Sequence, residues 1–200
     1  MKVTVADYGV GNLHSISKGL ERVGAVVEVS SDPSELANAR CIVFPGVGAF
    51  GAAMEVLRPA LTDIRTAIQS GVPTLGICLG MQILFEGSGE SVGEGVSVIQ
   101  GRARRLQAPR VPHMGWNEVV HSGDGLFEAI DSGEQFYFAN SYVCFPTEKV
   151  SISETEYGER FPSAVRKGTI FGVQFHPEKS SAPGLRLLSN FVRIAEGESA

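Results

Sequence analysis

Cysteine is scarce in this sequence. Cys41, Cys78 and Cys144 are the only three, too few and too scattered for a disulfide framework or a zinc site. Basic runs are missing as well. No lysine- or arginine-rich block interrupts a chain of net charge −5, which speaks against a nucleic-acid partner. No apolar run is long enough to cross a membrane, and Lys2-Val3-Thr4-Val5-Ala6 near the start is no signal-peptide core. The expectation is a cytoplasmic protein with free thiols and no membrane attachment. Internal repeats and low-complexity tracts are absent too. What remains is 200 residues, 43% hydrophobic and 20% charged. That is an ordinary globular balance, expected to form a single domain over 1–200 with a sizeable core.

Strands and helices alternate in the first half. A β-branched run over 2–6 predicts the first strand, with further strands over 26–29 and 41–44. Between the first two, Leu13, Ile16, Leu20 and Val23 share one helical face, and Gly24 stops the helix. A helix is expected over 57–68, then a buried strand over 74–77 and a helical pattern from Met81 to Phe85. This alternation predicts an α/β fold, a mainly parallel central sheet with helices on both faces. Sites in such sheets lie at the carboxyl ends of the strands. The second half changes character. Segments 102–106, 116–120, 135–142, 149–153, 163–166 and 170–175 read as added antiparallel strands of the same sheet. Residues 87–101, rich in glycine and glutamate, read as an exposed loop. A closing helix is expected over 183–195, with 196–200 frayed.

The chain is organised around Gly76-Ile77-Cys78-Leu79-Gly80, where the buried strand meets the helical pattern. Gly-x-Cys-x-Gly at a strand-to-helix turn is the cysteine form of a nucleophile elbow, whose small neighbours permit close backbone approach. The turn would expose the sulfur, the helix N-terminus would favour its thiolate, and the Leu79 amide would face a developing oxyanion. A buried cysteine at a strand end is the plainer alternative. Pro45-Gly46-Val47-Gly48-Ala49-Phe50-Gly51 ends another strand. It is either a flexible loop or a second supply of amide donors to the same oxyanion. Asp7-Tyr8-Gly9-Val10-Gly11-Asn12 tempts a dinucleotide reading. Position 14 is histidine where the third glycine belongs, so an ordinary β–α turn is preferred.

A cysteine nucleophile needs a base, and four histidines compete. His14 lies in a helix and His121 in a polar turn, both expected at the surface. His113 sits in Val111-Pro112-His113-Met114-Gly115-Trp116-Asn117. His176 ends the run Thr169-Ile170-Phe171-Gly172-Val173-Gln174-Phe175 and is followed by Pro177-Glu178. That strand delivers an imidazole to a sheet edge, proline stops it, and the carboxylate reaches back to orient the ring. Thiolate, imidazole base and carboxylate orienter are the parts of a triad.

The pairing of Gly76-Ile77-Cys78-Leu79-Gly80 with Phe175-His176-Pro177-Glu178 resembles the class I, triad-type glutamine amidotransferases. The resemblance implies a flavodoxin-like α/β fold and hydrolysis of glutamine to glutamate and ammonia, with no cofactor and no metal. Pro45-Gly46-Val47-Gly48, Pro112-His113-Met114-Gly115-Trp116-Asn117 and His176-Pro177-Glu178-Lys179-Ser180 are similar to one branch of that family. Asp7-Tyr8-Gly9-x-Gly11-Asn12-Leu13 extends the likeness to essentially the whole chain. Members of this branch form a heterodimer with a (β/α)₈-barrel cyclase that makes imidazole glycerol phosphate and AICAR in histidine biosynthesis, and pass it ammonia. By this resemblance Cys78 is the nucleophile, His176 the base and Glu178 its orienter. The amides of Leu79 and Val47 form the oxyanion hole, and the Pro45–Gly48 turn switches between inactive and active orientations. Gly48, Gln82, Ser141 and Tyr142 match the glutamine pocket. Asn140 departs from the pattern, since relatives often carry histidine there.

The Trp116 segment keeps two readings. The only tryptophan is either core or an exposed interface anchor. The resemblance favours the interface, with Asn117, Tyr137 and Lys179 near the same mouth and Lys179 meeting an acidic rim of the barrel. Two rivals are separable on motifs. A glutaminase subunit of pyridoxal phosphate synthase would share the triad but lack the His-Pro-Glu-Lys-Ser and Pro-His-Met-Gly-Trp-Asn stretches. A non-catalytic adaptor on the same fold would have lost a triad member.

Overall fold

The computed structural model describes residues 1–9, 11 and 13–197. Val10 and Asn12 of the first β–α turn, and 198–200 of the expected fraying tail, lie outside them. Strand β1 (Lys2–Ala6) leads to α1 (His14–Arg22), β2 (Val26–Ser30), α2 (Pro33–Ala37), β3 (Ile42–Phe44), α3 (Phe50–Leu57), α4 (Leu61–Gln69), β4 (Thr74–Ile77) and α5 (Leu79–Leu84). The strands β5 (Gly101–Arg105), β6 (His113–His121), β7 (Glu134–Asn140), β8 (Tyr142–Pro146), β9 (Ser151–Tyr157), β10 (Glu159–Lys167) and β11 (Ile170–Val173) follow, and α6 (Ser181–Ala195) closes the chain.

The main sheet has nine strands in the order β2-β1-β3-β4-β11-β10-β9-β6-β7. Its first five are mutually parallel, and β10, β9, β6 and β7 continue it antiparallel. Strand alternation explains the two layers. Val3, Val5 and Val43 join Ile16 and Leu20 of α1 and Leu188 of α6 in one core. Their neighbours Ala6, Ile42 and Phe44 join Leu36, Phe50, Ile64 and Ile83 of α2 to α5 in the other. Helices therefore cover both faces, as the sequence predicts. Each fully buried Leu or Phe adds about 1.5–3 kcal/mol relative to exposure. No helix among the described residues is long and apolar enough to cross a membrane.

Four local expectations are corrected. The first helix of the 57–68 segment starts earlier, at Phe50, and Pro59 breaks the run into a 3₁₀ turn at Arg58–Ala60 before α4. The short helix α2 goes unread, although Asp32 caps it by accepting from Ser34 N–H at 2.8 Å. Strand 135–142 is two strands: the chain leaves the main sheet at Ser141, and β8 pairs with β5 in a separate two-stranded sheet. Segment 87–101 is irregular but not wholly exposed. Val96, Val98 and Ile99 are buried, tied by Val96 N–H to the Ile83 carbonyl at 2.7 Å and by Arg65 Nε to the Val96 carbonyl at 2.6 Å. Tertiary hydrogen bonds hold those side chains inward, and such bonds leave no periodicity to read.

Candidate active site

Cys78 stands between β4 and α5 with φ 49° and ψ −101°. A non-glycine residue there is strained, and surrounding structure must hold it. The flanking glycines show how. A Cβ on Gly76 would lie 2.4 Å from the Gly80 carbonyl oxygen, and one on Gly80 would lie 1.9 Å from that of Phe44. Only bare backbone lets the turn close against β3. Cys78 is only 6% exposed, and Gln174 Nε2 donates to its sulfur at 3.6 Å.

His176 reaches the sulfur from the end of β11, the parallel neighbour of β4. Its backbone N–H donates to the Tyr137 carbonyl at 2.8 Å, and the buried Ser180 hydroxyl donates to its carbonyl at 2.6 Å. Ser180 also accepts from Tyr137 N–H at 2.9 Å. The ring Nδ1 lies 2.8 Å from Glu178 Oε1. Burial works against charge on this ring, but hydrogen bonds to the Cys78 sulfur and to Glu178 overcome it and push the imidazole up to about 10. At neutral pH the protonated ring is favoured, between a sulfur and a carboxylate.

A pocket of about 250 Å³ opens at Cys78. Gly48, Leu79, Gln82, Ser141 and Tyr142 all line it. Val47 does not: its side chain packs on Gly11, where a Cβ would meet it at 2.4 Å. Sequence reading missed four participants. Gly46 lines the pocket, and a Cβ there would lie 2.7 Å from His176 Cε1. Glu90 also lines it and accepts from Phe50 N–H at 2.8 Å, capping α3. Ser88 donates to Gln82 Oε1 at 3.0 Å and fixes that amide. Gln174 is the fourth. It sits two residues before His176, and alternation along the predicted strand over 170–175 is a signal for placing both on one side, although β11 itself ends at Val173. Glu90 and Ser88 lie in irregular chain that carries no such signal. Among the described residues no group of three or more His, Cys, Asp or Glu could hold a metal.

The other histidines are not bases. His14 is exposed. His121, expected at the surface, is half-buried instead. Its ring stacks on Phe127 at 4.4 Å, its Nε2 lies 3.0 Å from the Ile130 carbonyl, and its Nδ1 faces Gly123 N–H at 3.2 Å. His113 stacks between Tyr157 at 3.9 Å and Phe138 at 4.7 Å, and burial pushes it down to about 4 from 6.5. The unfolded chain therefore binds this proton more tightly, so stability tied to neutral His113 is complete above pH 6.5 and drains away as pH falls through 4. His113→Phe, which keeps a ring in the stack, should flatten the fall in melting temperature across that window. Parallel acid melts of the two proteins measure it, and identical slopes would remove His113 from the acid response.

Trp116, Tyr137 and Lys179 of the proposed interface meet on one surface, whereas Asn117 pairs with buried Phe136 on the other face of β6. Trp116 is 49% exposed, which excludes the core alternative. It pairs in register with Tyr137, their rings edge-on at 6.1 Å. Lys179 Nζ lies 6.0 Å from the Tyr137 ring centre. Asn117 donates to the Glu156 carbonyl at 3.0 Å and contacts His113 Nε2 at 3.3 Å, so it braces the strand that carries Trp116. Exposed Met114 adds apolar area beside it.

Comparison with known proteins agrees with this geometry. The model of the class-I glutamine amidotransferase family matches residues 4–195. The imidazole glycerol phosphate synthase subunit HisH of Thermococcus kodakarensis is 47% identical over 199 residues, covering 96% of this chain and 100% of that protein. The same subunit of Moorella thermoacetica is 47% identical over 196 residues, covering 94% and 93%. Among solved structures, a glutamine amidotransferase crystal structure superposes with a TM-score of 0.77 at 18% identity over 97% of this chain and 98% of that one. PurLQS from Thermotoga maritima does so at 0.73 and 20% identity over 96% and 98%. At those identities the solved structures speak for the fold.

Proposed function

The chain belongs to the class-I glutamine amidotransferase family, and on that premise we propose that Cys78, His176 and Glu178 carry its chemistry. It is a glutaminase, the glutamine-hydrolysing subunit of an imidazole glycerol phosphate synthase in histidine biosynthesis. The observation that carries the site assignment is that the Cys78 thiol opens on the pocket while the buried His176 ring, behind that lining, hydrogen-bonds both the sulfur and Glu178. The Cys78 thiolate attacks the side-chain carboxamide carbon, the Leu79 amide at the pocket stabilises the oxyanion, and the Val47 amide joins it when the Pro45–Gly48 turn reorients. Protonated His176 gives its proton to the departing nitrogen, so ammonia leaves and a thioester remains. Water then adds to the thioester. Its proton passes through His176, glutamate departs and the thiolate returns. Glu178 holds the ring in place throughout. Among the described residues Glu90 is the one carboxylate lining the pocket, and it suits the α-ammonium of glutamine.

Ammonia protonates near neutral pH and is then no nucleophile, so a glutaminase needs a sheltered route to its acceptor. We assign that partner as the (β/α)₈-barrel cyclase, docked on Trp116, Asn117, Tyr137 and Lys179 in a heterodimer. The test supplies the cyclase with this chain and glutamine as sole nitrogen source. Product should form, and glutamate should appear in equal amount. A cyclase that still requires added ammonium salt would sink the reading. In the same titration Trp116→Ala should weaken docking by about 2 kcal/mol or more while the free chain melts nearly normally. Lys179→Glu should weaken it more at low salt than at high. A Trp116→Ala chain that binds normally would move the interface elsewhere.

A further inference from the structure

Gln174 is fully buried, and its carboxamide makes a single side-chain hydrogen bond, from Nε2 to the Cys78 sulfur. Its Oε1 is buried without a partner. Burying an amide with an unmade hydrogen bond costs stability, and an apolar side chain would fill the same space without that cost. Core packing therefore does not account for glutamine here. The sulfur does. At 6% exposure Cys78 has lost most of its water, and a thiolate stripped of water needs donors. The protonated His176 ring supplies one. An amide N–H supplies another that cannot titrate, so it stays in place when the ring gives up its proton. Backbone register makes the contact dependable: Cys78 N–H donates to the Val173 carbonyl at 2.7 Å, and Gln174 N–H to the Ser163 carbonyl at 2.9 Å. The residue on each side of the contact is thereby locked to a neighbouring strand.

We propose that Gln174 is a further catalytic residue, the fixed hydrogen-bond donor that keeps the Cys78 sulfur anionic and aimed while His176 cycles its proton. This role rests on Cys78 being the nucleophile.

The test is alkylation of Cys78 by iodoacetamide as a function of pH, in the intact chain and in Gln174→Leu and Gln174→Met. The titratable groups around the sulfur are His176 with Glu178 behind it, Cys144 on β8, and Glu90 and Tyr142 across the pocket. None is changed in these variants. Loss of a charge-assisted donor should move the alkylation profile up by roughly one to two pH units. Glutamine turnover at neutral pH should fall roughly tenfold to a hundredfold, and melting temperature should hold or rise. Unmoved profiles with retained turnover would overturn the proposal. So would a Gln174→Met chain that melts early or fails to fold, since Met keeps the length and removes only the amide. If the parent chain itself is not inactivated by alkylation at Cys78, the nucleophile assignment fails, not just the role of Gln174.

Discussion

Cys78→Ala should stop glutamine hydrolysis, with a loss on the order of 10⁴-fold or more, because no other group can form the thioester. The substitution removes one sulfur from a site that is 6% exposed and leaves the backbone turn to its glycines, so the fold should survive. The same protein, paired with the cyclase, should still support product formation from ammonium salt. That pairing separates loss of chemistry from loss of structure. His176→Ala should be comparably severe, since triad members act as a unit and their losses do not add. Glu178→Gln should cost less, because an amide oxygen can still accept from His176 Nδ1–H at the observed 2.8 Å. Steady-state ammonia release measures all three. Turnover of Cys78→Ala within tenfold of the parent would end the triad assignment.

Gly46→Ala carries the second large effect, and it arises from space alone. Gly46 is not among the residues with positive φ, so alanine suits its backbone. The added methyl would nevertheless sit 2.7 Å from His176 Cε1 and 3.0 Å from both Cys78 Cβ and the Ile77 carbonyl oxygen. Something must give, and two of the three neighbours belong to the triad. A misplacement of about 1 Å in a reacting group can cost 10²-fold, so kcat should drop by roughly that factor or more. Overpacking of this kind destabilises by about 1–3 kcal/mol, far less than would unfold the chain. Kinetics and a melt of the same protein check both halves. A Gly46→Ala enzyme with parental kcat would show that the loop, not the triad, absorbs the methyl.

The local part of the site was legible in the sequence because its logic is local. Gly76 and Gly80 lie two residues either side of Cys78, and the turn they permit is a property of that spacing. Pro177 and Glu178 follow His176 directly, and a carboxylate two residues on can reach an imidazole in an extended chain. The layered α/β architecture was legible for a related reason. Side-chain alternation along β1 and β3 and the helical face of α1 report which faces are buried before any partner is known.

Only the tertiary structure decided the rest. Glu90 enters the pocket and Ser88 reaches Gln82 behind it from an irregular segment held by bonds to α3, α4 and α5, and no period marks such residues. Trp116 is exposed because it pairs with Tyr137 on the face of β6 and β7 opposite the buried Phe136 and Phe138. Its surrounding sequence fits a core strand equally well. Gln174 meets Cys78 across 96 residues only because β11 lies beside β4 in register. Sequence periodicity records whether a side chain faces core or water. Which polar group meets which across the sheet depends on strand order and register, and those are settled when the whole core packs.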